Sequence, residues 1–222
     1  MIDFSVEHSA GVVALWEGDT KHSAADRDGI SLAYYIHALY GLLRQAKVHH
    51  VLMIGCGGGT LATMLVRAGV KVTMVDISAR SIAIARRHFH MPEDVIAHAG
   101  DGARFVQKSR TRYDAIVLDA YAKGAIPRQF LKPAFLKAAR ARAPLFFVNI
   151  LVAGDRDPVP EQVVETLRGV WRNVRRLGAD KRHNAIVMAG AVMTLHRPRL
   201  LMRPRRQAKF IAADLARMRF RC

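Results

Sequence analysis

Four short stretches carry residue types that can do chemistry together. Gly55-Cys56-Gly57-Gly58-Gly59 follows the apolar run 51–54 and precedes a helical pattern. At the carboxyl end of a strand, glycines such as Gly55, Gly57 and Gly59 let the backbone approach a ligand with no Cβ in the way. The dinucleotide pattern G-x-G-x-x-G needs a further glycine where Thr60 stands, which favours a mononucleoside over a pyrophosphate cofactor. Asp76, twenty-one residues after Gly55, stands near the spacing at which a carboxylate accepts hydrogen bonds from a ribose diol, and it is read with Ile77 as cofactor-binding. Asp101 in Gly100-Asp101-Gly102 is placed to accept from the exocyclic amine of a base, with Gly102 beside it. Asp119, in YDAIVLDAY, could take a proton or hold a cation. Each aspartate has a competing role as a helix cap or turn residue, and the glycine run could be only a tight turn.

These residues must be held by strands and helices in alternation. Strands are predicted at 48–54, 71–75, 95–98, 115–119 and 145–150, and helices at 61–68, 78–88, 103–108 and 128–142. That rhythm predicts an α/β fold, a doubly wound, mostly parallel Rossmann-like sheet, with its ligand beyond the strand carboxyl ends. Residues 161–176 read as a further helix, and 184–189 with 191–195 as an antiparallel pair around Gly190, with Lys181, Arg182 and His183 a solvated lead into it. Ahead of the sheet, 11–16 reads as a hairpin strand and 30–46 as a helix. The expected division is 1–46, a short N-terminal β-hairpin and helix; 47–196, the nucleoside-binding catalytic domain; and 197–222, a basic tail with helical character.

A chain of 222 residues with 51% hydrophobic and 24% charged residues has the balance of a folded domain, which excludes a mainly disordered or collagen-like chain. The net charge of +17 is the outlier. Residues 1–44 hold six acids against three bases, whereas residues 197–222 hold nine bases against one acid. Cys56 and Cys222 allow at most one disulfide and no zinc spacing, and the ten histidines show no ligand pattern such as H-E-x-x-H, so no metal is expected. Cys56 is expected to pack inside the loop. With no basic leader followed by an apolar run and no apolar stretch of membrane length, the expectation is a cytoplasmic protein without a membrane span.

The succession VLMIGCGGGTLATML, VTMVDIS, AGDGARFV, YDAIVLDAY and IPRQFLKPAFLKAARARAPLFFVNIL resembles the spermidine synthase (polyamine aminopropyltransferase) family, and more closely its divergent spermidine synthase-like members, over about residues 11–190. The resemblance implies a fold of the class I methyltransferase type, decarboxylated S-adenosylmethionine as aminopropyl donor and a polyamine amine as nucleophile. It further implies Asp76 as the ribose acid, Asp101 with Gly102 as the adenine contact, and Asp119 as the catalytic base. Tyr34 matches a substrate-pocket tyrosine of the family, or else lies on the buried face of its helix, and Tyr121 is taken as a second substrate residue. The family commonly dimerises, so a homodimer is an expectation.

Three positions depart from the family pattern. Gly58 stands where the family loop, G-G-G-D-G-G, has an aspartate that helps hold the donor amine; Ala122 stands where a second acid follows the base; and His22 stands where a substrate-binding glutamine is usual. Two missing carboxylates and a positive overall field weaken the attraction for a polycation. S-adenosylmethionine-dependent methyl transfer is therefore the second reading. A non-catalytic nucleoside-binding module with a nucleic-acid-binding tail is the third. For the tail itself, two readings stay open: a terminal helix from Arg205 with Ile211, Leu215 and Met218 on its packed stripe, or an arm that binds DNA or RNA weakly at low salt.

Overall fold

Alternation along each strand decides how this chain layers. The computed structural model describes residues 4–122, 124–154, 156–178 and 184–221. In chain order these form β1 (Phe4–Ser9), β2 (Val12–Glu17), β3 (Thr20–Asp26), α1 (Tyr34–Gln45), β4 (His50–Ile54), α2 (Thr60–Arg67), β5 (Lys71–Asp76), α3 (Ala79–Phe89), β6 (Ile96–Ala99), α4 (Gly102–Lys108) and β7 (Ala115–Leu118). There follow a 3-10 turn at Arg128–Leu131, α5 (Pro133–Arg142), β8 (Leu145–Leu151), α6 (Val159–Arg168), β9 (Val174–Gly178), β10 (Asn184–Ala189), α7 (Ala208–Arg217) and β11 (Arg219–Arg221).

The main sheet has the order β11-β9-β10-β8-β7-β4-β5-β6. Pairs β8–β7–β4–β5–β6 are parallel, while β10 runs antiparallel to both β8 and β9. Because successive strand residues face opposite sides, Val51, Met53, Val72 and Met74 enter one core with α1, α2 and α7, and Leu52, Ile54, Ile116 and Leu118 enter the other with α4, α5 and α6. Strand order reverses at β4, which leaves a crevice beyond the carboxyl ends of β4, β5 and β7. The α/β doubly wound expectation holds, with an antiparallel edge.

The N-terminal segment is a three-stranded antiparallel sheet, β1-β2-β3, rather than a single hairpin. Its inner side chains Val13, Leu15 and Ala25 pack on Phe89 at the end of α3. The predicted helix 30–46 begins only at Tyr34, because Asp26 accepts from the Ile30 amide and Ser31 bridges to Ala25.

Two expectations near the far edge are corrected. The helix predicted over 161–176 ends at Arg168; Gly169 follows, Trp171 stacks on Phe146 at 5.4 Å, and Val174–Gly178 is a strand between β10 and β11. The pair predicted for 184–189 and 191–195 is not made, since β10 lies between β8 and β9. Residues 192–195 instead fold back as a loop whose carbonyls at Val192, Met193 and Leu195 accept from Arg175 Nη1 at 3.1, 3.1 and 3.0 Å. The lead read at Lys181, Arg182 and His183 lies outside the described residues.

The basic C-terminal segment is built into the fold. Ile211 and Leu215 of α7 are buried in the core shared with α1, Met218 is buried just after the helix, and β11 extends the sheet on β9. Arg205 ties this segment to the start of the molecule: its amide donates to the buried Asp26 carboxylate at 2.7 Å, and its guanidinium pairs with Asp28. Removing everything after His196 would therefore strip a helix and a strand from the core, not free an arm.

Candidate functional site

The glycine loop is fastened to the strands around it. Gly55, at φ +100°, runs so close to the end of β7 that a Cβ would stand 2.2 Å from the Asp119 carbonyl oxygen. Gly57 and Gly59 also have positive φ, and Gly59 caps α2 from the left-handed region with no side-chain bond. Ser23 of β3 accepts from the Gly58 amide at 2.9 Å, so the N-terminal sheet docks directly on the loop. Cys56 is buried within it, and burial pushes its thiol well above the usual range, as suits an inert packing residue.

Asp76 ends β5 facing that loop. One carboxylate oxygen accepts from the Cys56 amide at 2.7 Å and the other from the Ser78 amide at 2.7 Å, which fixes the carboxylate between loop and helix. Ile77 beside it is 71% exposed, an apolar surface next to the Asp76 carboxylate. Asp101 caps α4, one oxygen accepting from the Ala103 and Arg104 amides at 2.7 and 3.1 Å. Gly102 is buried, and a Cβ there would meet Ile54 Cγ2 at 2.5 Å, so close helix-to-strand packing also demands this glycine.

Asp119, just past β7, belongs to a polar chain that crosses the sheet. Asn149 Nδ2 on β8 donates to Asp119 Oδ1 at 2.8 Å, and Asn184 Nδ2 on β10 donates to Asn149 Oδ1 at 3.0 Å. Both asparagines are buried, so each amide must be paired, and pairing fixes which carboxylate oxygen is engaged. Burial raises the Asp119 pKa, opposed by the Asn149 hydrogen bond and the attraction of His22.

The tyrosines frame this chain. Tyr34 exchanges hydrogen bonds with the Asn184 backbone, its hydroxyl donating to the carbonyl at 3.2 Å and accepting from the amide at 3.1 Å. The Tyr121 hydroxyl donates to the Asn149 carbonyl at 2.7 Å and accepts from the Leu151 amide at 2.9 Å, clamping the end of β8. Both sequence-predicted tyrosines thus spend their hydroxyls on strand backbone. Their neighbour Tyr35 instead lines a cleft of about 320 Å³ with Trp16, Lys21, His22, Ser23 and Gln207. Burial raises the Tyr35 pKa, and the nearby Asp119 charge raises it further. His22 is held by Glu17, Nε2 to Oε2 2.8 Å.

The structure therefore brings Gly55, Asp76 and Asp119 to one crevice and adds Tyr35, Asn149, Asn184 and Ser23, which the sequence reading missed. Asn149 and Asn184 did leave a signal: each is a polar residue at a run of otherwise apolar strand positions, LFFVNIL and NAIVMA. Among the described residues no group of three or more His, Cys, Asp or Glu could hold a metal ion, and no helix is long and apolar enough to cross a membrane.

Comparison with known proteins bears on this arrangement. Residues 51–144 match the family described as a methyltransferase domain. A probable polyamine aminopropyl transferase of Bifidobacterium longum is 27% identical over 158 residues, 68% of this chain and 35% of that protein. A polyamine aminopropyltransferase of Neisseria meningitidis is 29% identical over 183 residues, 77% of this chain and 69% of that one. The fold matches the crystal structure of a probable spermidine synthase from Corynebacterium glutamicum with a TM-score of 0.77, at 16% identity, over 98% of this chain and 86% of that one. The chain is thus similar to polyamine aminopropyltransferases in sequence and to spermidine synthases in fold. It spans about a third of the length of its Bifidobacterium relative, and a larger share of the Neisseria one.

Proposed function

We propose that this protein is a transferase that binds an adenosyl sulfonium against the glycine loop and Asp76 and passes its aminopropyl group to an amine, with Asp119 as base. The observation that carries this reading is the placement of Asp119. Its backbone abuts Gly55, its carboxylate is oriented by Asn149, and its charge acts on Tyr35 and His22, both of which line the cleft. In the proposed step the amine lone pair forms a bond to the carbon next to the sulfonium sulfur. The carbon–sulfur bond breaks with its electron pair passing to sulfur, which leaves as a neutral thioether. Asp119 takes the proton the amine loses, a task suited to a carboxylate whose pKa burial has raised. Asp101 and Ile77 are proposed to border the adenine, and the cleft to admit the acceptor.

One observation favours a second reading. Phe89 fills the space beside Gly58, so no carboxylate stands at that loop position to meet a donor amine or to repel a donor carboxylate. S-adenosylmethionine and methyl transfer are therefore the alternative. Incubation of the full chain with each sulfonium plus putrescine separates them: methylthioadenosine release supports aminopropyl transfer, S-adenosylhomocysteine release supports methyl transfer, and neither product refutes both with this acceptor.

A further inference from the structure

We propose that the outer face of α7, with the segment 197–206 before it, is a binding surface for single-stranded nucleic acid, in which basic side chains grip phosphates and a base stacks on Phe210. The transfer chemistry proposed above makes no use of this face.

The helix leaves its apolar stripe inside and presents a different one outside. Ile211 and Leu215 are buried, while Lys209, Phe210, Ala213 and Arg217, which helical periodicity places within one angular sector, are all exposed. Phe210 is 73% exposed, an unusual state for a phenylalanine on a helix that already has a buried face to use. Cations surround it in sequence. Arg199, Arg203, Arg206 and Lys209 are exposed, and their side chains make no hydrogen bond or ion pair with the described residues, unlike that of Arg205, which is held by Asp28. The acid of this segment, Asp214, lies near Arg217 at 3.7 Å.

An exposed aromatic ring among unpaired cations is what an unpaired, stackable base with a phosphate backbone matches. A duplex offers the phosphates but hides the base faces. A second copy of this chain would set one cationic face against another, which like charge opposes. An anionic membrane would need a continuous apolar face to bury, and that of α7 is already spent on the core, leaving Phe210 and, in the segment before it, Leu201.

The test is fluorescence anisotropy of the full chain with a labelled oligothymidylate of about twenty nucleotides and with a duplex of about the same length, from about 50 mM salt upward. The oligothymidylate should bind more tightly than the duplex. Phe210→Ala should weaken it about five- to tenfold without changing the salt dependence, since stacking carries no charge. Arg206→Ser with Lys209→Ser should reduce the log–log salt slope by about 1.4, at roughly 0.7 per phosphate contact on a single strand. Arg110→Ser with Arg112→Ser, exposed residues after α4, should change neither. These side chains are all exposed, and thermal melting of each variant confirms that it folds. No binding at low salt, preference for the duplex, an unaffected Phe210→Ala, or an equal loss in the 110/112 variant would overturn the proposal. So would capture by phosphatidylserine vesicles with no binding of the oligonucleotide.

Discussion

Phe89 stands where a side chain on residue 58 would have to go: a Cβ built on Gly58 would lie 2.6 Å from Phe89 Cδ1 and 2.7 Å from Cε1. The ring is fully buried and also carries the inner face of the N-terminal sheet, so it cannot swing aside cheaply. This one contact ties a departure in the glycine loop to the packing of β1–β3 on α3. It also means that an acidic side chain cannot simply be placed at this loop position.

Gly58→Ala should accordingly destabilise the protein by about 1–3 kcal/mol, the usual cost of overpacking, and Gly58→Asp by more, because a charge would be forced against an aromatic ring. Phe89→Ala alone should cost about 3–5 kcal/mol. In the double variant Gly58→Ala/Phe89→Ala the two losses should fall short of additivity, since the cavity receives the methyl. Urea melts of the three variants check this, and strict additivity would mean that the two positions do not share space.

The second prediction concerns pH and rests on Asn149 and Asp119. Asp119 must be ionised to take a proton, and burial raises its pKa while the Asn149 amide lowers it. Turnover should therefore fall on the acid side at a pH above that of an ordinary carboxylate, and Asn149→Ala should move that limb still higher. Asp119→Asn should cost roughly a hundredfold or more in rate with little change in nucleoside affinity. A raised carboxyl pKa means the folded state holds the proton more tightly than the unfolded one, so this group loses stability as pH rises through the gap between the two. Asp119→Asn should then melt higher than wild type at neutral pH, with the advantage shrinking at low pH. Loss of both activity and stability at neutral pH would contradict the assignment.

How much of this was legible in the residues depends on whether pattern or packing decided each element. The parallel core was readable because β4, β5, β7 and β8 are short apolar runs bounded by turns, and all were placed within about two residues. β3 was not, because TKHSAAD is polar along most of its length and becomes a strand only by pairing with β2. β9 was mistaken for helix since VRRLG continues the apolar spacing of α6, and only its place between β10 and β11 makes it extended. The choice between Tyr34 and Tyr35 could not be made from sequence either. They are adjacent on α1, and which ring meets the cleft is set by how the helix rolls onto β10, through Tyr34 and the Asn184 backbone.

The third prediction separates recognition from scaffolding at the nucleoside end. Asp76→Ala should weaken methylthioadenosine and S-adenosylhomocysteine by roughly ten- to a hundredfold in calorimetry, and it should also lower the melting temperature, because the Cys56 and Ser78 amides lose their acceptor. Ile77→Ala should weaken binding about fivefold, the worth of roughly 40 Å² of apolar surface covered by an adenine. Its side chain faces solvent, so melting should not change. If neither thioether gives heat with folded wild-type protein, the proposed nucleoside site is wrong.

The last prediction concerns two acids two residues apart, Asp26 and Asp28, both joined to Arg205. Asp26 is buried and accepts from three backbone amides, those of Asp28 and Ile30 on Oδ1 at 3.0 and 2.9 Å and that of Arg205 on Oδ2 at 2.7 Å. Asp28 meets the Arg205 guanidinium at the surface, where the pairing holds its carboxyl below the usual range but is screened by water. Asp26→Asn keeps one oxygen for the local turn and turns an amide group toward the Arg205 N–H, setting donor against donor. The expected cost is about 1–3 kcal/mol, from a buried amide left without an acceptor. Because that amide anchors the C-terminal segment, the loss should be local before it is global: trypsin should cut after Arg205 or Arg206 faster in Asp26→Asn than in wild type at temperatures where the core is intact. Asp28→Asn should melt close to wild type and show little change in cleavage. If Asp26→Asn resists trypsin as wild type does, the buried carboxylate is not what fastens the C-terminal segment to the N-terminal sheet.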